Sequence, residues 1–257
     1  MNATPTAPPT ALPSVILHLG LGAFHRAHQA AYLHALRQTG DQGWSLAGAN
    51  LRPDMADTLA ALAAQQGHYT LETVSPAGDY RYEWIESINE VIAFAPDLAA
   101  VVARGADPAT RIISFTVTEA GYYLDPAHRL DPMQKEIADD IARVQGGAAG
   151  VTIYGAMATI LRARMRADAG AVTLLNCDNL RHNGERFRQA LVAFLELVGD
   201  AELREWVMAN TSCPNAMVDR ITPRAPAELG QRVRRATGRD DAAAITAGSF
   251  IQWVIED

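Results

Sequence analysis

Residues Ile16–Ala31 read ILHLGLGAFHRAHQAA and predict a strand, a glycine turn and the start of a helix. The apolar run Val15–Leu19 is typical of a buried strand, and it ends directly before Gly20-Leu21-Gly22. In such a unit the first glycine permits a tight turn, and the second lets the backbone approach a pyrophosphate. The unpaired N–H groups at the helix start then favour negative charge. The stretch therefore predicts the first βα unit of a dinucleotide-binding fold, although His25 stands where a GxGxxG pattern has its third glycine.

Further strands and helices alternate along the chain, which favours a Rossmann-type α/β fold with a doubly wound, mostly parallel sheet. The remaining sheet strands are expected at Trp44–Ala49, Ile88–Phe94, Arg111–Phe115 and Ala171–Asn176. The main helices are expected at Phe24–Gln38, Met55–Gln66, Pro96–Arg104, Asp131–Val144 and Ile153–Arg166. Tyr69–Val74 and Tyr80–Ile85 flank a Pro-Ala-Gly-Asp turn and predict a β-hairpin inserted outside the parallel sheet.

Length and composition limit the class of protein. At 257 residues the chain has room for one large hydrophobic core or two small ones. A formal net charge of −7 argues against a nucleic-acid-binding protein, because no excess of cations is available to displace phosphate counterions. Two cysteines without CxxC spacing favour a reducing compartment, and we expect a cytoplasmic protein. No apolar run is long enough for a membrane-spanning helix, so no membrane association is expected.

The first residues form a distinct compositional segment. Residues 1–14 read MNATPTAPPTALPS and are rich in proline, alanine and threonine. They lack the basic start and apolar centre of a signal peptide, so we expect a disordered tail there. The dinucleotide-binding domain is then expected to span residues 15–257.

The loop after the second predicted strand, Asn50-Leu51-Arg52-Pro53-Asp54, offers two opposite charges. In a dinucleotide-binding fold the end of this strand faces the adenosine ribose. A carboxylate there accepts hydrogen bonds from the ribose of NAD, whereas an arginine accommodates the 2′-phosphate of NADP. Arg52 and Asp54 are therefore candidate cofactor residues, and the loop does not distinguish the two cofactors. Asp54 is equally suited to cap the helix predicted at Met55–Gln66.

Polar residues also follow two later strands, at the sheet edge where ligands bind in open α/β folds. Thr116–Tyr122 reads TVTEAGY, and Cys177–Gly184 reads CDNLRHNG. Both stretches are candidate parts of the site. The alternative for the first is a helix cap followed by a loop, and the alternative for the second is helix capping by Asp178 or Asn179.

Four stretches, in this order, resemble the mannitol dehydrogenase family of polyol-specific long-chain dehydrogenases: GLGAFHRAHQA, SFTVTEAGYY, NCDNLRHNG and NAMVDRITP. The resemblance implies zinc-independent, NAD(P)-dependent hydride transfer between a sugar alcohol, such as D-mannitol or D-arabinitol, and a ketose. NAD is the expected cofactor, with NADP left open. A nearby alternative is a fructuronate reductase, which acts on a hexuronate. No metal ligands are expected, since His25 and His28 have no third ligand at a suitable spacing.

The same resemblance implies roles for individual residues. The cofactor turn corresponds to Gly20, Gly22, Ala23, Phe24 and Arg26, and the approach of the cofactor to the sheet edge corresponds to Thr118 and Glu119. Asn179 corresponds to the oxyanion donor, while Asp219 and Arg220 correspond to residues that line the substrate site. Before the resemblance is considered, a surface ion pair is an equally good interpretation of Asp219 and Arg220.

The family's general base is a lysine on a second, mainly helical domain. Here the single lysine, Lys135, lies in a charged helical stretch that matches no catalytic motif, and arginine stays protonated and cannot replace it. We therefore expect a cofactor-binding half that ends before the catalytic domain, with an exposed apolar patch near Phe250–Ile255. The expected partners are a small polyol or ketose and the missing domain in cis, in a monomer or weak oligomer. The alternative from another class is a non-catalytic dinucleotide-binding module.

Overall fold

The computed structural model describes residues 13–257, and these form a three-layer α/β domain. Residues 1–12, most of the predicted tail, lie outside the described part of the chain. The boundary expected at residue 15 is one residue late, because Ser14 is already the first residue of the first strand. Its N–H donates to the Gly43 carbonyl at 2.9 Å.

The strands and helices have the following bounds. The strands are β1 Ser14–Leu19, β2 Trp44–Ala49, β3 Tyr69–Val74, β4 Tyr80–Ile85, β5 Ile88–Val91, β6 Thr110–Phe115, β7 Val172–Asn176, β8 Thr211–Ser212, β9 Ala216–Asp219, β10 Ile245–Gly248 and β11 Gln252–Ile255. The helices are α1 Ala23–Ala27, α2 Gln29–Gln38, α3 Ala56–Ala64, α4 Ala99–Gly105, α5 Lys135–Gln145, α6 Ile153–Arg166, α7 Asn183–Val198, α8 Ala201–Asn210 and α9 Leu229–Thr237. Short 3₁₀ turns lie at Pro53–Met55 and Glu119–Tyr122.

The main sheet confirms the predicted Rossmann-type topology. Its six strands lie in the order β5-β2-β1-β6-β7-β8, and each neighbouring pair is parallel. From β1 the chain first builds outward through β2 and β5 and then crosses to β6 on the other side. The loops after β1 and β6 therefore meet at the point where the strand order reverses, which is where ligands bind in such folds.

Two hydrophobic cores cover the two faces of this sheet. Helices α4 to α8 pack on one face around buried aromatic side chains such as Tyr154, Phe187 and Phe194. Helices α1 to α3 and the predicted hairpin pack on the other face around Leu46, Leu62 and other apolar residues. The hairpin of β3 and β4 lies outside the parallel sheet, as expected, and β10 extends it on the side of β3.

The predicted helix Phe24–Gln38 is interrupted at His28, which divides it into α1 and α2. His28 adopts φ −117° and ψ −90°, outside helical values. Its imidazole Nε2 lies 2.8 Å from the Gln252 carbonyl oxygen, and its ring packs against Trp253. A partner 224 residues away in sequence therefore determines where the helix is interrupted. No glycine or proline stands at this position in the sequence.

Arg164 ties three elements together inside the protein. Its side chain is fully buried on α6. The guanidinium donates five hydrogen bonds of 2.8–3.1 Å, all to backbone carbonyl oxygens near the end of α4 and the start of β7. These acceptors belong to Gly105, Asp107, Ala169, Gly170 and Ala171. Gly105 and Ala169 are buried, so the guanidinium supplies hydrogen bonds that their carbonyl oxygens would otherwise lack.

Candidate functional site

The glycine turn after β1 requires glycine at its first position for a backbone reason. Gly20 has φ +115°, a conformation that residues with a side chain rarely adopt. A β-carbon built on Gly20 would also lie 3.2 Å from the Thr116 carbonyl oxygen. At Gly22 φ is −88°, and a β-carbon would meet nothing closer than the Gly20 carbonyl oxygen at 3.9 Å. The space beside Gly22 is therefore open, as the close approach of a ligand requires.

The peptide group between Gly20 and Leu21 is held at both ends. Its carbonyl oxygen accepts from the Gly22 N–H at 2.7 Å and lies 3.2 Å from Nε2 of His18. Its N–H, on Leu21, donates to Oδ1 of Asn50 at 2.7 Å and to the Ala49 carbonyl at 3.2 Å. The turn is thus fixed before any ligand binds, a form of preorganisation that lowers the cost of binding.

His18 holds the turn as a neutral imidazole. The ring is fully buried in β1, and burial lowers the pKa of His18 to about 3. It stacks on His25 with the ring centres 3.5 Å apart, and Nδ1 lies 2.8 Å from the Ser114 hydroxyl. The Ser114 hydroxyl also donates to Oε1 of Gln29 at 3.0 Å, so the ring belongs to a buried hydrogen-bond network.

A cleft of about 280 Å³ opens beside the turn at the reversal of strand order. It brings together five of the predicted cofactor residues, which are Gly20, Gly22, Arg52, Asp54 and Thr118. Its other walls include Asn50, Leu51, Thr116, Val117, Val151 and Ile153. The mixture of apolar walls with a few polar groups suits a nucleotide.

Some of these wall residues carry a signal in the sequence, and others do not. Asn50 and Thr116 follow directly on β2 and β6, so the rule that ligands bind at the carboxyl edge of the sheet identifies both positions. Val151, by contrast, lies in the loop between α5 and α6 and has no local pattern that marks it. It reaches the cleft only because the chain folds back across the sheet edge.

Two opposite charges stand at the end of the cleft that the loop after β2 forms. Arg52 and Asp54 are both exposed, and the Arg52 guanidinium donates to the Tyr123 hydroxyl at 3.3 Å. Asp54 lies in the 3₁₀ turn Pro53–Met55, and helix α3 has Met55 at its N-cap without a side-chain hydrogen bond. The alternative that Asp54 caps this helix is therefore wrong, and its carboxylate is left facing the cleft region.

The rest of the predicted cofactor turn lies off the walls of this cleft. Phe24 stacks on the His28 ring at 5.2 Å between centres. Arg26 is buried, lies 5.3 Å over the Tyr69 ring and donates to the carbonyl oxygens of Gly22 and Ala243. Ala23 is the first residue of α1 and also lies off these walls. Arg26 thus ties α1 to β3 and to the segment before β10, whereas Phe24 packs against apolar residues of β7 and β9.

A second cavity of about 370 Å³ adjoins the first, and the two share Val117 and Thr118. Its lining includes Glu119 and the exposed Asn179, together with Arg181. Glu119 and Asn179 therefore face a common space, which is separated from the glycine turn only by the residues that both cavities share.

Asp178 is turned inward and organises the loop that carries Asn179. The Tyr122 hydroxyl donates to its Oδ2 at 2.6 Å, and the Asn183 amide donates to its Oδ1 at 3.1 Å. The Leu180 N–H also donates to Oδ1 at 3.1 Å. Burial raises the pKa of Asp178, although these hydrogen bonds counteract the shift. The residue at the N-cap of α7 is His182, so the alternative of helix capping by Asp178 or Asn179 is wrong.

Asp219 and Arg220 are not an ion pair. Asp219 is exposed at the end of β9, opposite Gln252 of β11. Arg220 is buried, and its guanidinium donates to the Gly248 carbonyl at 3.0 Å, to the Ala27 carbonyl at 2.5 Å and to the Thr73 hydroxyl at 3.3 Å. The two side chains therefore have opposite surroundings, and the guanidinium joins β9, β10 and α1.

Lys135 lies far from a catalytic setting. It begins α5, its side chain is 82 % exposed, and it forms an ion pair with Asp139 one turn later. That carboxylate raises the pKa of the ammonium, which is the wrong direction for a general base. Among residues 13–257, no group of three or more His, Cys, Asp or Glu side chains is arranged to hold a metal ion. Within the same range, no helix has both the length and the apolar character needed to cross a membrane.

Comparison with known proteins identifies relatives over the whole described range. A sequence model described as "Mannitol dehydrogenase Rossmann domain" matches residues 14–257. The D-arabinitol 4-dehydrogenase of Ralstonia nicotianae is 54% identical over 245 residues, which is 95% of this chain and 52% of that protein. The mannitol 2-dehydrogenase of Cereibacter sphaeroides is 41% identical over 248 residues, 96% of this chain and 51% of that protein.

A solved structure agrees with these sequence matches. The Pseudomonas fluorescens mannitol 2-dehydrogenase, in a ternary complex with NAD and D-mannitol, superposes with a TM-score of 0.87 at 37% identity. The match covers 96% of this chain and 50% of that one. The chain thus spans about half the length of the relatives it matches.

Proposed function

The chain belongs to the mannitol dehydrogenase family, whose Rossmann domain it forms, and from this membership we propose that it binds NAD and serves a polyol dehydrogenase. The reaction is the interconversion of a sugar alcohol and a ketose. Bound NAD would supply the hydride acceptor at its nicotinamide ring. The cofactor would lie in the cleft beside the glycine turn, where Gly20 shapes the backbone and Gly22 leaves room for a pyrophosphate.

The observation that carries this proposal is the meeting of two cavities at Val117 and Thr118. A dinucleotide that lies along the first cavity, with its adenosine half near Asp54, has its other end directed towards Thr118. The second cavity, with Asn179 exposed in it, begins there. A hydride donor or acceptor bound in this way would lie next to a side-chain amide that donates to a developing alkoxide. Glu119 lines the same cavity and is a proposed neighbour of the cofactor.

Each residue near the second cavity has a proposed role in the dehydrogenase reaction. We assign Asn179 the role of oxyanion donor, with Asp178, Tyr122 and Asn183 holding its loop. Asp219 is the proposed substrate-facing residue of the NAMVDRITP stretch, and Arg220 fixes its strand. The general base would be a lysine from a second domain, as in the family, because the one lysine of this chain is exposed and ion-paired.

Polyols are favoured as substrates over hexuronates. The relatives reported above are named for D-arabinitol and mannitol, and identity is higher to the D-arabinitol 4-dehydrogenase. NAD is favoured over NADP because the carboxylate of Asp54 stands at the ribose end of the cleft, where it would repel a 2′-phosphate. Arg52 opposes this preference, since an arginine near the ribose accommodates a 2′-phosphate, although its guanidinium also donates a hydrogen bond to the Tyr123 hydroxyl. We also propose that the reaction is zinc-independent and takes place in the cytoplasm.

An exposed surface around β9 and β11 is suited to a second domain in cis. The two-stranded β9–β11 sheet carries Met217 directly opposite Val254, both exposed. Phe250 is 60% exposed and Ile221 is 74% exposed in the adjoining segments of the chain. Exposed apolar side chains are therefore present near Phe250–Ile255, where the sequence predicts an apolar patch. The longer relatives carry about as much chain again, and we propose that this part covers the patch. We further propose that the protein is a monomer or a weak oligomer.

The test is a fluorescence titration of the 257-residue chain with NADH, with NADPH as comparator. We expect saturable binding of NADH and at least about tenfold weaker binding of NADPH. The Asn179→Ala variant should bind NADH within about threefold of the parent, since the amide acts on the substrate. Absence of NADH binding by a folded sample would refute cofactor binding. Strong polyol-dependent NADH formation by this chain alone would refute the need for a second domain.

A further inference from the structure

Asn50 lies at the cleft, and only one of the two polar atoms of its side chain has a hydrogen-bond partner in the protein. It follows β2 directly, it is 5% exposed, and it lines the cleft beside the glycine turn. Its Oδ1 accepts the Leu21 N–H at 2.7 Å. Since a backbone N–H only donates, this contact identifies the atom as the carbonyl oxygen and leaves Nδ2 as the remaining polar atom.

Nδ2 of Asn50 has no hydrogen-bond partner in the protein, although it is shielded from water. Buried amide groups are paired in folded proteins with few exceptions, and each exception requires an explanation. Within residues 13–257, Asn50 is the residue that both lines this cleft and carries such an atom. The unpaired donor therefore belongs to a residue that lines the space proposed for the cofactor.

The position of Asn50 in the cleft indicates which group of a ligand its Nδ2 would meet. Asn50 bridges the two parts of the cleft, because it is bonded to the glycine turn and begins the loop that carries Arg52 and Asp54. The groups of a dinucleotide that pass between these two points are a phosphate and a ribose, and both present acceptor oxygens. A donor that the fold holds in place costs little entropy when such an oxygen arrives.

We propose that Asn50 has a double role, in which Oδ1 positions the glycine turn and Nδ2 donates a hydrogen bond to an acceptor oxygen of the bound dinucleotide. The inference rests on the proposed binding of NAD in this cleft. It adds a binding residue outside the glycine turn and the charged pair Arg52 and Asp54. The amide is suited to both tasks at once, since it carries an acceptor and a donor on one rigid plane.

Two substitutions separate the two roles. Asn50→Asp keeps an acceptor for the Leu21 N–H, removes the donor and has nearly the same shape. Asn50→Ala removes both. We expect the aspartate variant to bind NADH at least about tenfold more weakly and to lose less thermal stability than the alanine variant, because its carboxylate still accepts the Leu21 N–H. The alanine variant should lose both thermal stability and NADH affinity, because the Leu21 N–H also loses a partner.

Charge repulsion is controlled by a carboxylate just outside the cleft. Ala56→Asp places the same charge at an exposed position that follows the cleft residue Met55 and is not itself part of the cleft wall. We expect its NADH affinity to fall by no more than about threefold at physiological salt, where exposed charges are screened. A loss equal to that of Asn50→Asp would mean that charge alone weakens binding, and it would overturn the proposal.

The remaining outcomes are also decisive. NADH affinity of Asn50→Asp within about twofold of the parent would show that Nδ2 does not contact the dinucleotide. Equal destabilisation of the aspartate and alanine variants would show that Oδ1 is not the feature that holds the turn. If the parent itself does not bind NADH, the proposed function fails before the role of Asn50 is tested.

Discussion

Alanine substitutions at the two glycines of the turn should have different effects, although they are only two positions apart. Gly20→Ala forces a side chain into φ +115° and places its β-carbon 3.2 Å from the Thr116 carbonyl oxygen. Backbone conformations of this kind cost about 1–3 kcal/mol for residues other than glycine. Taking about 2 kcal/mol, we expect the melting temperature to fall by about 4–8 °C in a domain of this size.

Gly22→Ala meets neither obstacle. Its φ of −88° is open to any residue, and the nearest atom to a new β-carbon is 3.9 Å away. The alanine restricts the unfolded chain, which stabilises the fold by less than about 1 kcal/mol. Loss of glycine at the helix N-cap destabilises it by a similar amount, so the two effects nearly cancel. We therefore expect a melting temperature close to that of the parent. The methyl group would occupy space proposed for the pyrophosphate, so NADH affinity should fall at least about tenfold.

Differential scanning calorimetry and a fluorescence titration with NADH, applied to both variants, test this contrast. The expected pattern is a large thermal shift for Gly20→Ala and a large affinity loss without a thermal shift for Gly22→Ala. A Gly20→Ala protein as stable as the parent would contradict the backbone argument. A Gly22→Ala protein that binds NADH like the parent would contradict the assignment of open space to the ligand.

Two further predictions concern buried cationic and imidazole groups. Arg164→Met should destabilise the fold by about 3–5 kcal/mol, because it removes five hydrogen bonds and leaves the carbonyl oxygens of the buried residues Gly105 and Ala169 unpaired. In chemical denaturation the control Arg162→Met, which loses a partly exposed ion pair with Asp200, should lower the free energy of unfolding by about 1 kcal/mol. Equal costs for the two variants would refute this role of Arg164. The buried His18 has a folded-state pKa of about 3 against 6.5 when unfolded, so between these values the unfolded chain binds more protons and stability falls as the pH is lowered. Lowering the pH from 6.5 to 5 should reduce the free energy of unfolding by about 2 kcal/mol through this histidine. In His18→Gln the free energy of unfolding should depend correspondingly less on pH. An unchanged pH dependence would refute the argument.

Local sequence patterns predicted the parallel sheet and the identity of the glycine turn. Strand β2 has the predicted bounds Trp44–Ala49, and α6 has the predicted bounds Ile153–Arg166. These elements depend on short-range periodicity and composition, which the residues themselves carry. The carboxyl-edge rule also identified the loops with Thr118 and Asn179, because parallel strands place their ends at one edge whatever the details of packing.

Element ends were less predictable where a single backbone conformation decides them. Helix α4 begins at Ala99 and not at Pro96, because Leu98 takes a left-handed conformation with φ 54°. Apolar residues seldom adopt this conformation, so the sequence does not signal it. Helix α5 begins at Lys135 and not at Asp131, since the Asp131 carboxylate first closes a turn on the Met133 N–H at 3.0 Å.

The sequence by itself determined the fold class and the position of the glycine turn, because these follow from spacing along one strand, turn and helix. It indicated the family through four ordered stretches that resemble it. Only the tertiary structure decided which side chains of that turn face the cleft. Arg26 and Arg220 have the charge of ligand-binding residues, yet both guanidinium groups are buried on backbone carbonyls from distant segments. Asn50 is marked in the sequence only by its position after β2, and its proposed role depends on a contact with Leu21, 29 residues earlier. Long-range packing determines the hydrogen-bond partners of buried polar groups, so the local periodicity of the sequence does not predict them.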